Sequence, residues 1–82
     1  MLDSIVENFP EEDILKADGL DEAVIGIDTA TMRLIYSKSK CIEAMMANDD
    51  MTHEDAIEFL EYNTFNAYVG EQTPIWCDDT YE

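Results

Sequence analysis

At most four of the twenty Asp and Glu side chains in this 82-residue chain can find a Lys or Arg of their own, and the formal net charge is −16. Self-repulsion on that scale weakens any compact state, most of all at low salt. The cohesion has to be apolar, and the composition supplies it: 46% of the residues are hydrophobic. Ile25, Ile27, Leu34, Ile35, Ile57, Phe59, Leu60 and Trp76 set the chain apart from an unfolded acidic tail. The length suits one domain over residues 1–82, with a small core.

Four pieces can be read along the chain. Leu2, Ile5, Val6 and Phe9 repeat at i, i+3, i+4 and i+7, predicting a helix inside an N-terminal segment 1–17. Pro10 stops it near Phe9. Glu11 to Leu15 can form a further turn, and Asp18-Gly19 reads as a break. Two β-rich runs follow, Ala23 to Ile27 and Met32 to Tyr36, expected to form an antiparallel hairpin with a loop of about four residues. Alternation puts Ala23, Ile25 and Ile27 on one face, opposite Met32, Leu34 and Tyr36. Gly26 leaves room for a close neighbour or a bulge.

Ser37 or Ser39 can cap a helix whose stripe is Cys41, Ile42, Met45 and Met46, ending at Asn48-Asp49-Asp50. That stripe reads as core, or as an adaptable methionine-bearing contact surface. Thr52-His53-Glu54-Asp55 resembles a capping box with Asp at its third helical position, flanked by a Met51–Ala56 staple. Ile57, Leu60, Thr64 and Ala67 mark the inward face, with Phe59 beside them, and Gly70 suits the C-cap. Pro74-Ile75-Trp76-Cys77 can add a third strand, and residues 78–82 form an acidic end expected to fray. The expected fold is α+β: an N-terminal helix, a β-hairpin or three-stranded antiparallel sheet, and two amphipathic helices packed on it.

Function is constrained mainly by charge. Such a surface repels nucleic acid and anionic lipid and attracts basic protein surfaces. No basic n-region precedes an apolar stretch, and no apolar run approaches the ~20 residues that cross a bilayer, so the expected location is intracellular. Cys41 and Cys77 lack metal-ligand spacing and read as reduced thiols, with a disulfide open only if the fold joins them. The single His53 sits among carboxylates, and no calcium-loop pattern is present. Neither a metal nor a cofactor is expected, and no motif names a reaction, which favours binding over catalysis.

The candidate partner-binding residues are Glu54, Asp55, Glu58 and Glu61, supported by Asp49 and Asp50. Glu54, Glu58 and Glu61 climb the last helix in steps of about 6 and about 4.5 Å. That is close to the phosphate spacing of a nucleic-acid strand, about 6–7 Å. No lysine or arginine after Lys40 offsets them. The plainer reading is a solvated face, or salt adaptation of the whole surface. Tyr68 and Trp76 mark an alternative apolar interface for an adaptor or homo-oligomer, since such residues are enriched at hot spots. Arg33, Lys38 and Lys40 offer a third option, a small-molecule or nucleotide-binding sponge with its pocket between protomers, or one anion held at the helix start.

The stretch Asp18-Gly19-Leu20-Asp21-Glu22-Ala23-Val24-Ile25-Gly26-Ile27-Asp28 is similar to the start of a family of short, uncharacterised acidic bacteriophage proteins. Arg33 to Ser37, Lys40 to Glu43, Met51 to Asn63 and Ala67 to Trp76 extend the resemblance over roughly residues 18–76. It implies a phage context and a host-cell cytoplasmic location, and it carries no catalytic residues with it. Small acidic phage proteins often inhibit host machinery, so the expectation is a non-enzymatic inhibitor of a nucleic-acid-handling or defence protein, acting by phosphate mimicry.

Overall fold

The computed structural model describes residues 1–17 and 19–81. Helix α1 (Leu2–Asn8) buries Leu2 and Ile5, one turn apart, while Val6 on the same predicted stripe stays largely exposed. It ends where Pro10 requires. Beyond a turn closed by the Glu12 N–H on the Phe9 carbonyl, residues 13–17 run without regular structure. The Ala17 N–H donates to the Tyr36 hydroxyl at 2.8 Å, which pins this connector to the sheet. Of the Asp18-Gly19 break, Asp18 lies outside the described residues, and Gly19 has a left-handed φ of 79° that favours glycine. A short 3₁₀ turn, Asp21–Ala23, then leads into the sheet.

Strands β1 (Val24–Asp28) and β2 (Arg33–Ser37) form the antiparallel hairpin. Each is set one residue later than the sequence alternation suggests. The Asp28 carboxylate closes the loop by accepting from the Ala30 N–H and the Thr31 hydroxyl, both at 3.0 Å. The register slips between Val24 and Gly26, so Val24 pairs with Tyr36 and Gly26 with Ile35. This bulge changes which side chains reach the core. Strict alternation would separate Val24 from Ile27, but the extra residue turns Val24 inward while Ile27 still packs against the buried cluster. Leu34 and Tyr36 on the facing strand are fully buried.

Strand β3 (Ile75–Cys77) lies beside β2 and runs parallel to it, giving the order β1-β2-β3. The sheet is therefore mixed, and the expectation of a fully antiparallel one does not hold. A tight turn forces antiparallel pairing, whereas β2 and β3 are joined by the long helical connection 38–74, which permits a parallel return. The turn before β3 helps aim it: the Thr73 hydroxyl donates to the Gly70 carbonyl and accepts from the Val69 N–H. Arg33 fastens that turn to the hairpin, its Nε–H donating to the Thr73 carbonyl at 2.5 Å.

Helix α2 (Lys38–Asn48) starts directly after β2, and Ser37 is its cap, its Oγ accepting from the Lys40 N–H at 3.1 Å. Cys41, Ile42 and Ala44 are buried and Met45 packs against them, whereas Met46 is exposed. α2 lies on β2 and on the 3₁₀ turn, and α3 (His53–Leu60) packs against α2. Thr52 caps α3 by accepting from the Asp55 N–H at 3.2 Å, and Ala56 and Leu60 face inward. Both thiols are free, Cys41 buried and Cys77 half-buried, and burial pushes the Cys41 thiol up to about 12. No described helix is long and apolar enough to cross a membrane.

The end of α3 departs from the predicted helix. Glu61–Phe65 is a π-helical stretch, and the helix stops at Asn66, so Gly70 is not its C-cap. Gly70 sits instead in the turn before β3 at φ 115°. A π-turn inserts about one extra residue per turn and rotates everything after it. Phe65 thereby reaches Trp76, ring centroids 5.1 Å apart, and Trp76 lies 5.0 Å from Tyr36 on its other side. Lys38 covers the other side of this cluster, with Nζ 5.0 Å from the Phe65 centroid.

Candidate functional site

The outward face of α3 and its π-turn is built from one-turn spacing. Met51, Asp55, Glu58, Phe59, Glu61, Tyr62, Asn63 and Asn66 line a broad groove of about 820 Å³, open to solvent along its length. The three carboxylates here belong to the predicted acidic set. Glu54 is exposed but outside the groove lining, and Asp49 and Asp50 sit in the α2–α3 connection. Asp49 caps the C-terminus of α2, and Asp50 takes a left-handed φ of 56°, so that pair is also occupied in turning the chain.

Local chemistry accounts for part of the acidity. Glu54 and Asp55 occupy the first turn of α3, where the helix dipole favours negative charge. Glu58 and Glu61 lie too far along the helix for that benefit. Glu54 and Glu58, four apart, repel by about 0.2–0.5 kcal/mol in an isolated helix. Among the described residues no basic side chain is paired with any of the six carboxylates. The even climb from Glu54 to Glu61 is kept only as far as Leu60, because Glu61 opens the π-turn.

Two aromatic and two amide residues of the groove escaped the sequence reading. Phe59, placed beside the inward face, is 41% exposed, and Tyr62 is 90% exposed. The signal was present: Tyr62 follows Glu58 by four and Asp55 by seven, which puts it on the acidic stripe. Asn63 and Asn66 shape the same surface. Their amides donate to the Phe59 carbonyl at 3.0 Å and the Glu61 carbonyl at 2.8 Å, turning the NH₂ groups onto the backbone.

The alternative aromatic pair is divided by the fold. Trp76 is half-buried between Tyr36 and Phe65 and lines a small apolar pocket of about 210 Å³ with Leu15, Val69 and Pro74. Tyr68 is 77% exposed and does not line that pocket. The basic residues are also spread over separate tasks, with Arg33 on the Thr73 carbonyl and Lys38 over the Phe65 ring. His53 is the exposed first residue of α3.

A second electrostatic feature lies in the segment 78–82, expected to fray, of which Glu82 is outside the described residues. Asp79 accepts from the Ser37 hydroxyl at 2.5 Å and from the Ser39 N–H at 3.0 Å. Those hydrogen bonds hold its carboxyl at about 2, well below the usual range. The single Ser37 hydroxyl hydrogen goes to Asp79, so the Ser39 hydroxyl is the donor in the 3.0 Å contact between the two serines. Asp78 is lowered as well, first by the Thr80 hydroxyl and then by the Thr80 N–H.

No family model matches the chain, and neither a curated protein nor a solved structure matches it at a significant level.

Proposed function

We propose that this chain is a non-enzymatic acidic phage protein that binds the basic surface of a host nucleic-acid-handling or defence protein through α3. The observation that carries the reading is the run Glu54, Asp55, Glu58 and Glu61, exposed and without a basic partner among the described residues. Like charges in one row destabilise a helix on its own. A partner that brings Lys and Arg removes that repulsion and gains steered association. Carboxylates presented one turn apart, as Glu54 and Glu58 are, would then occupy sites meant for nucleic acid. With its own charge of the wrong sign, the chain does not bind nucleic acid directly.

The test is capture from bacterial lysate on immobilised protein, at low and at high salt, with heparin as a polyanionic competitor. The expected result is a nucleic-acid-binding protein released by salt and by heparin, and absent when Glu58→Lys and Glu61→Lys are combined. Capture unchanged by that double reversal rejects the acidic face as the site. Association that tolerates salt and responds to Tyr68→Ala transfers the function to the exposed aromatic edge, where Tyr68 and Val69 both stand free of the core.

A further inference from the structure

We infer that the α3 groove takes an arginine-bearing protein segment, each guanidinium lying against an aromatic ring and donating to a carboxylate one turn away. This rests on the acidic-face reading and narrows it from any basic surface to one that presents arginine.

Carboxylates alone would welcome any cation. The groove holds more than carboxylates: Phe59 and Tyr62 stand exposed within it, and Met51 lies at one end. Asp55 and Phe59 are four residues apart, as are Glu58 and Tyr62, and residues at that spacing are neighbours on a helical surface. Each pair combines a hydrogen-bond acceptor with a ring face. A guanidinium matches both, because it is planar, stacks on aromatics, is weakly hydrated and carries only donors. A lysine ammonium is compact and strongly hydrated, and gains less from a ring it must lose water to touch.

The hydrogen-bond character of the lining points the same way. Asn63 and Asn66 turn their NH₂ groups onto backbone carbonyls, which leaves their Oδ1 atoms as acceptors beside Asp55, Glu58 and Glu61. Apart from the remaining amide hydrogens and the Tyr62 hydroxyl, the side chains offer acceptors only, complementary to a group with five N–H donors. Among the described residues no basic side chain is paired with these carboxylates, so the complementary charge comes from a partner. The groove is too open to enclose a small molecule, and its sign excludes nucleic acid. Its extent along two to three turns of helix suits a protein segment with side chains at matching intervals.

The probes are two capped synthetic peptides of equal length and charge, alanine-based with four arginines or four lysines at i, i+4 spacing. Calorimetric titration against the whole chain at several salt concentrations gives the arginine-to-lysine affinity ratio. The expected ratio is about five-fold or more, the size of one to two exposed cation–π contacts. Tyr62→Ser should lower the ratio toward one and leave the salt dependence unchanged. Tyr62 is 90% exposed, so the variant folds, and thermal melting verifies it. Equal affinities with steep salt dependence overturn the arginine inference and leave the acidic face standing. Absence of binding by either peptide overturns both readings. An arginine preference that survives Tyr62→Ser and Phe59→Ser together places it elsewhere and also overturns the inference.

Discussion

Tyr62 and Phe65 are three residues apart in the same π-turn, yet Phe65 packs against Trp76 while Tyr62 is 90% exposed. On the inner side, Tyr36, Trp76 and Phe65 contact one another in series at tilted angles, and the Lys38 ammonium lies over the last. On the outer side, Phe59 and Tyr62 share the groove lining with carboxylates and have no ring partner among the described residues. Aromatic character therefore does not separate core from surface in this chain. What separates them is whether neighbouring elements supply apolar atoms to cover the ring, and α2 and β3 do so on one side only.

The sharpest way to break that contrast is to remove one ring from each side. Tyr36→Ala deletes a fully buried ring and leaves the Ala17 N–H without its acceptor, so urea denaturation should show a loss of about 3–5 kcal/mol. A loss below about 1 kcal/mol would mean the inner cluster is not the core it resembles. Thr52→Ala acts on the helix that carries both faces. It removes the acceptor for the Asp55 N–H and should cost about 1 kcal/mol by the same measurement.

The acidic end 78–82 sharpens the comparison in another way, because Asp79 is a carboxylate with built partners and Glu58 is one without. Hydrogen bonds from Ser37 and Ser39 hold the Asp79 carboxyl at about 2 in the folded state, below its ordinary value of 3.8. Its contribution is therefore complete above the ordinary carboxylate range and fades as pH falls from about 4 to about 2. Melting temperatures of wild type and Asp79→Asn should differ at neutral pH and converge near pH 2. Both proteins gain equally as the other carboxylates protonate, so the difference isolates this one site. A gap that stays constant across that window would remove the hydrogen-bonded carboxylate from the account. Smallest of all is the outer ring: Tyr62→Ala should shift stability by no more than about 0.5 kcal/mol.

Much of the inner architecture could be read from local patterns. Leu2 and Ile5, the hairpin to within one residue, Ser37 and Thr52 as caps, and Leu60 lie where spacing and side-chain chemistry put them, whereas Ala56, expected as a staple partner of Met51, is fully buried. The acidic stripe was legible only for the regular part of α3, from Glu54 to Glu58, since the π-turn that opens at Glu61 leaves no mark in an i, i+4, i+7 pattern. The exposed half of the groove was not. Phe59 resembles any core aromatic in a one-dimensional pattern, and its 41% exposure depends on how far the described elements cover that side of α3. The docking of Asp79 on Ser37 and Ser39, some forty positions away, leaves no local trace either.

What the amino-acid order determined alone are the properties that one or two turns of chain can settle: the charge, the helix starts, the hairpin and the acidic face. The direction of β3, the bulge that turns Val24 inward, the π-turn that sends Phe65 to Trp76 and the uncovering of Tyr62 were decided by tertiary structure. Each depends on atoms brought together from distant positions, where packing and hydrogen-bond satisfaction outweigh local preference.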